Sequence, residues 1–327
     1  MSKSVFSKQV RRWLFAGLLF AVGACAAPPT AELPTAQLSS PAATEALVAT
    51  STLAPQPTAA TEPFTYTVGP GDTLSSIAAR FGLRPETVLW ANHDLLHDIP
   101  DFLMEDMQLL ILPRDGIYHQ AGGGDSASSL ANFFNASIDD IIAWPANGLD
   151  PQNPQVFIGQ WLLIPEGQRG LRRRIMPNLP AGAMAVASEE YGNGACPQNS
   201  GLAGQGTGQY AWPVAGRSLA AEGYWSGHQA VDLAVEIGEP VLAADAGVVV
   251  YSGWSNLGYG LMVMLDHGNG DYTLYGGLGA ATAVCGSAVA QGQPVGLGGV
   301  IGHPAGTFVH FEIRRGPEFL NPLDVLP

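Results

Sequence analysis

Between Tyr66 and Pro113 the apolar positions change period twice. Tyr66-Thr67-Val68 alternates as a short strand does. Leu74, Ile77, Ala78 and Phe81 then recur at helical spacing, and Asp72 just ahead of them predicts the helix cap. Pro85 suits the first turn of a second helix carrying Val88 and Leu89. Leu109 to Leu112 reads as a returning strand. The same order recurs from Tyr118 to Pro165: Ser75-Ser76-Ile77-Ala78 matches Ser128-Ser129-Leu130-Ala131, Trp90 matches Trp144, Asn92 matches Asn147, and residues 107–113 match 159–165. Two copies of one strand–helix–helix–strand unit are expected.

From Tyr210 onward the period is two. Val241 to Ala243 and Val248 to Tyr251 are β-rich runs split by Asp245-Ala246-Gly247. Leu261 to Leu265 and Tyr272 to Tyr275 flank His267-Gly268-Asn269-Gly270, where Asn-Gly is a strong hairpin signal. Val309 to Arg314 closes the series. The pattern predicts twisted antiparallel sheets, so the chain as a whole is expected to be multi-domain α+β. Its 327 residues, 41 Gly and 25 Pro suit several small domains with tight turns and linkers.

The ends of the chain read differently. Arg11 and Arg12 precede an apolar run from Trp13 to Val22, too short for a bilayer but suited to a secretory signal. The run ends in Val22-Gly23-Ala24-Cys25, which resembles a lipobox; lipidation of Cys25 is expected, the alternative being a plain signal peptide with an incidental Cys. Residues 26–63 are rich in Pro, Ala and Thr and predict an extended tether. The expected division is a signal at 1–24, a linker at 25–63, repeat units at 64–114 and 115–166, a second linker at 167–207 carrying Arg172-Arg173-Arg174, and a last domain at 208–327. Without the signal the chain carries 10 Arg, no Lys and 28 acids, a balance of −18 against −14 for the whole. Such a surface repels phosphate backbones, which excludes nucleic-acid binding. In an exported chain with Cys25 lipidated, Cys196 and Cys285 can form one disulfide, the alternative being two buried free thiols.

Three residues carry the candidate chemistry. His228 and Asp232 are spaced so that an extended segment puts both on one face. His310 lies on the late strand. Two His and one carboxylate, with a fourth position for water, make a catalytic zinc arrangement.

The segments around them sharpen this. "YTVGPGDTLSSIA", "ANHD" and "QLLILP" closely resemble LysM modules. That resemblance implies binding of N-acetylglucosamine-containing glycans by the loop Gly71, Asp72, Thr73 together with the loop after the second helix. The second copy reads Gly124-Asp125-Ser126-Ala127 and loses the Thr-Leu pair, which leaves its sugar binding open. "GHQAVDLAVEIGEPVLAADAGVVVYSG", "GYGLMVMLDHGNGDYTLYGGL" and "HFEIRRGPEFLNPLDVL" resemble the lysostaphin-type (LytM-like) zinc endopeptidases. The resemblance implies one zinc held by His228, Asp232 and His310 and attack on peptidoglycan peptides. Two departures matter: the family's His-x-His reads Phe308-Val309-His310, and its Y-x-H-L reads Tyr275-Gly276-Gly277-Leu278. Both His positions that serve proton transfer and stabilise the intermediate are replaced, by Gly277 and Phe308. His303 is the nearby candidate substitute, and His267 in the hairpin turn is expected to be structural. The expectation is therefore a lipid-anchored, extracytoplasmic envelope protein that binds peptidoglycan and carries a zinc-holding but weakened endopeptidase-like domain with a role in wall remodelling. The alternative is an active zinc endopeptidase with a non-standard base.

Overall fold

A computed structural model describes residues 61–171, 175–179, 188–196, 202–299, 303 and 305–327, all within one compact unit. The expected signal segment, Cys25, most of the expected first linker and Arg172–Arg174 lie outside the described residues. Among the described residues no helix is long and apolar enough to cross a membrane.

The first repeat pairs β1 (Phe64–Thr67) with β2 (Gln108–Ile111), enclosing α1 (Leu74–Arg80), α2 (Pro85–Ala91) and a short α3 (His93–Leu96). The second pairs β3 (Gly116–Gln120) with β4 (Trp161–Pro165) around α4 (Ala127–Phe133) and α5 (Ile138–Ala143). The matched Asn residues do the same work in each. Asn92 donates to the carbonyls of Val88 and Leu110 and accepts from the Leu110 amide; Asn147 does so with Ile141 and Leu163. Each side chain thereby ties the end of a helix to the returning strand.

The α1 cap is not Asp72. Thr73 occupies it, accepting from the Ser76 amide in a reciprocal capping box. Asp72 is turned inward instead, accepting from Tyr66 and from the Gly69 amide and pairing with Arg80. Both residue types can cap; the one nearer the first turn wins, and the aspartate staples the loop. The second repeat repeats this division with Ser126 and Asp125.

The last domain follows a short helix α6 (Ser188–Tyr191). Its strands are β5 (Val231–Ala234), β6 (Pro240–Leu242), β7 (Gly247–Ser255), β8 (Gly260–Asp266), β9 (Asp271–Gly276), β10 (Leu278–Ala281), β11 (Ala288–Val289), β12 (Pro294–Gly298), β13 (Phe308–Arg315) and β14 (Glu318–Leu320). A seven-stranded sheet runs β11-β7-β8-β9-β13-β14, with β5 also pairing β13; a three-stranded sheet runs β10-β12-β6. All pairs are antiparallel. His267 is buried and bridges the Ala246 carbonyl and the Thr273 hydroxyl, a structural role in the turn. Cys196 and Cys285 form a disulfide.

Strand β13 positions the chemistry. Val309, Phe311 and Ile313 enter the hydrophobic core. By the two-residue period, Phe308, His310, Glu312 and Arg314 share the opposite face.

Candidate metal centre

His228, Asp232 and His310 meet because β5 and β13 lie side by side, with Asp232 directly across from His310. His228 stands just ahead of β5, in a turn where its backbone exchanges hydrogen bonds with Trp225. His228 and Asp232 are fully buried and His310 nearly so.

Each side chain is aimed by a second contact. Nδ1 of His228 lies 2.8 Å from the Gly223 carbonyl, which assigns it the proton and leaves Nε2 facing inward. Asp232 accepts the Glu222 amide on one oxygen, at 3.0 Å. Nε2 of His310 lies 3.2 Å from Glu312, so its Nδ1 faces inward. Glu312 is itself held by Arg314. Outer partners of this kind fix the orientation of metal-ligating side chains.

The inward atoms test the fit to a metal. Zinc bonds of ~2.0–2.1 Å to N and O in a tetrahedron separate neighbouring ligand atoms by about 3.3 Å. The His228 and His310 nitrogens are 3.2 Å apart, and the free Asp232 oxygen is 3.3 Å from each. That oxygen is buried without a hydrogen-bond partner. A buried carboxylate oxygen left bare between two imidazole nitrogens is costly unless a cation or proton joins them. The residues present fit a tetrahedral cation of zinc size.

A fourth group, absent from the sequence expectation, completes the cluster. Asp101, on the short helical turn Pro100–Phe102 of the first repeat, brings its carboxylate to 2.9 Å from His310 Nδ1 and 3.4 Å from His228 Nε2. All four residues present ligand atoms within 4.8 Å of one another. Burial disfavours charge on Asp101, His228 and His310, yet their pairing prevails. The Asp101 carboxyl is held well below the usual carboxylate range by His310 and His228. Asp232 and Asp101 push His228 up to about 10, and Asp101 also raises His310. No local motif marks Asp101; only the packing of one domain on another places it.

A cleft of about 470 Å³ opens beside the cluster, lined by Phe102, Tyr259, Gly277, Phe308 and His310 among others. Gly277 contributes no side chain and has φ +71°. Phe308 faces the cleft, as the strand period requires. His303 packs its ring on Phe308 at 5.2 Å between centroids, is nearly buried, and has its Nε2 without a hydrogen-bond partner. Burial lowers its pKa and keeps it neutral. Tyr259, not singled out by the sequence, stacks edgewise on His310 at 5.6 Å. Gly71, Asp72 and Thr73 lie at the start of α1, away from these ligands in sequence but in the same repeat as Asp101.

Residues 226–322 match the family described as Peptidase family M23, and residues 66–95 and 123–165 match the LysM domain. The chain joins LysM domains to a peptidase family M23 domain. It is similar to the Pseudomonas aeruginosa protein named lipoprotein NlpD/LppB homolog, at 36% identity over 38% of this chain and 42% of that one. It is also similar to the murein hydrolase activator EnvC of Escherichia coli, at 36% identity over 38% of this chain and 30% of that one. The chain thus spans less than half the length of these relatives. Among solved structures it is similar to lysostaphin from Staphylococcus simulans, at 24% identity over 41% of this chain and 48% of that one, with a TM-score of 0.29.

Proposed function

We propose that this chain is a lipid-anchored protein of the cell envelope that grips peptidoglycan glycan through its LysM domains and holds one zinc ion in an M23 domain weakened for hydrolysis. His228, Asp232 and His310 are the protein ligands. Gly71, Asp72 and Thr73 of the first LysM domain contribute the glycan-binding loop. The relative named as a murein hydrolase activator, and the one named as a lipoprotein, support a role in controlling wall turnover at the membrane.

The observation that carries this reading is the contrast within the site. Every inner ligand is locked by an outer hydrogen bond, whereas the two cleft positions that would supply proton transfer are Gly277 and Phe308. A zinc ion in such a site lowers the pKa of bound water and polarises a carbonyl. Delivery of a proton to the leaving amine falls to side chains, and neither Gly277 nor Phe308 has a titratable group. General acid–base help typically contributes about 10²–10⁴-fold, and a preorganised stabiliser of the intermediate a further ~10²–10³-fold.

One observation favours the second reading, an active endopeptidase. His303 is neutral, close to the cleft through Phe308, and has an unpartnered ring nitrogen. Zinc analysis of the full chain combined with digestion of purified peptidoglycan separates the two. One zinc with slow digestion supports the weakened domain. Fast digestion that stops on chelation and on His303→Ala supports the enzyme.

A further inference from the structure

The two LysM domains share one plan, so each is a control for the other. Asn92 binds the backbone of Leu110, and Asn147 binds that of Leu163. These two leucines are therefore equivalent. Counting from them along the paired strands, Tyr118 stands where the first domain has Thr65, and Trp161 where it has Gln108. Leu109, Ile111, Leu162 and Ile164 fill the two cores. By the two-residue period, the four exchanged residues lie on the outer face of each sheet. The fold works with Thr and Gln on this face, so packing does not require the aromatic pair of the second domain.

That pair is preassembled. The rings of Tyr118 and Trp161 stack with centroids 4.7 Å apart and planes 14° from parallel. Trp161 is nevertheless 48% exposed. An indole there leaves apolar surface in water that Gln would not, which is the mark of a binding surface rather than of a core. Both rings border a groove of about 360 Å³ between the two LysM domains, within the ~300–1,000 Å³ of small-ligand sites. Trp144 forms a further wall, steadied by the Arg114 guanidinium 5.7 Å from its ring, and Arg114 is itself paired with Glu166. Pro63 and Leu110 line the groove from the first domain's side, and Glu62 brings a carboxylate to it.

A flat ring platform suits a partner with apolar C–H groups on its faces and hydroxyls around its edge, which describes a pyranose. The Tyr118 hydroxyl and the Glu62 carboxylate offer a donor and an acceptor to such an edge. A carboxylate at the groove, in a chain of net charge −14, opposes acidic peptides and anionic lipid headgroups but not an uncharged sugar. We propose that the outer sheet face of the second LysM domain is a sugar-stacking site, with Trp161 and Tyr118 as its platform for an uncharged pyranose of the wall glycan. Neither ring belongs to the loop Gly124-Asp125-Ser126-Ala127, which corresponds to the Gly71-Asp72-Thr73 loop. The second domain thus holds sugar by its strands where its loop has lost the Thr-Leu pair. The inference rests on the reading that this chain grips glycan.

The test is a titration of the full chain with chitotetraose, followed through the indole N–H signals of its seven Trp by nuclear magnetic resonance. The Trp161 signal is the one missing from Trp161→Gln, a variant that carries the first domain's own residue at that place. The expected result is a saturable shift of the Trp161 signal. Tyr118→Thr, again the first domain's residue, should weaken the affinity read at that signal about 2–13-fold, the range for one aromatic stacking contact. Tyr118→Phe keeps the ring and should recover most of the loss. An unmoved Trp161 signal, while other signals of the chain shift, would overturn the groove and leave glycan binding intact. No shift anywhere would overturn the glycan reading as well. A Trp161 signal that answers a sugar-free stem tetrapeptide, or vesicles of phosphatidylethanolamine and phosphatidylglycerol, but not chitotetraose would overturn the assignment to sugar. Equal affinity in Tyr118→Thr would overturn the stacked platform.

Discussion

Glu312 is the residue through which the proposed metal centre is tied to the sheet, and Glu312→Gln tests that link. The carboxylate is fully buried. One oxygen lies 3.2 Å from His310 Nε2, and the other accepts from the Arg314 guanidinium at 2.8 Å. Glutamine keeps the volume and one acceptor but turns an N–H₂ toward either the imidazole or the guanidinium. Loss of an outer partner to a metal-bound His typically lowers metal affinity 10–100-fold, or about 1.4–2.7 kcal/mol. Loss of a hydrogen bond to a charged group costs about 1.5–3 kcal/mol of stability. Arg314 retains the Met176 carbonyl and Asn178, so the stability loss should fall toward the lower end. Zinc competition against a chromophoric chelator measures the first effect, and urea unfolding in excess chelator measures the second. Unchanged zinc affinity together with an unchanged unfolding midpoint would refute the claim that Glu312 orients His310.

Replacing Cys196 and Cys285 together by Ala opens a loop of 89 residues; on the chain-entropy model the loss reaches ~4–5 kcal/mol, read as a lower unfolding midpoint that reductant no longer shifts. In the metal-free chain, burial opposes the charge on His228 but Asp232 and Asp101 raise its pKa to about 10. The charged ring therefore stabilises the metal-free fold fully below its unfolded value of ~6.5, and that stability is lost as pH rises toward the folded value. Zinc needs the unprotonated ring, so calorimetry in buffers of different ionisation enthalpy should show proton release on binding near pH 7. Phe308→His restores a titratable group facing the cleft and should raise peptidoglycan digestion. Gly277→His adds a group but forces a side chain onto φ +71°, at a cost of about 1–2 kcal/mol; a melting curve showing no loss would contradict the assigned backbone.

The parts of this molecule that depend on local rules could be read from its sequence. The LysM repeat follows from two helical periods and two strand periods, and the matched Asn92 and Asn147 prove to be equivalent staples. The His228, Asp232 and His310 set could be read because antiparallel strands bring short, polar-interrupted β runs into register. The face of β13 was also readable: Phe308, His310, Glu312 and Arg314 alternate with core residues, so Glu312 could have been placed beside His310 from the period alone. The choice of Thr73 over Asp72 as cap was not readable, because both side chains can accept the same amide and only the Tyr66 and Arg80 contacts decide. Asp101 was out of reach for a different reason. It is one acid in a loop of an acidic chain, and its role depends on the docking of two domains far apart in sequence. Glu222 is hidden in the same way, since its burial comes from Ser75 and Trp225.

The most direct measurement is zinc content and peptidoglycan digestion on the same preparation of the full chain. One zinc per chain, removed by His310→Ala, with slow digestion of purified peptidoglycan, is the predicted result. A chain free of zinc, or one that digests peptidoglycan rapidly and stops when the metal is withdrawn, would contradict it.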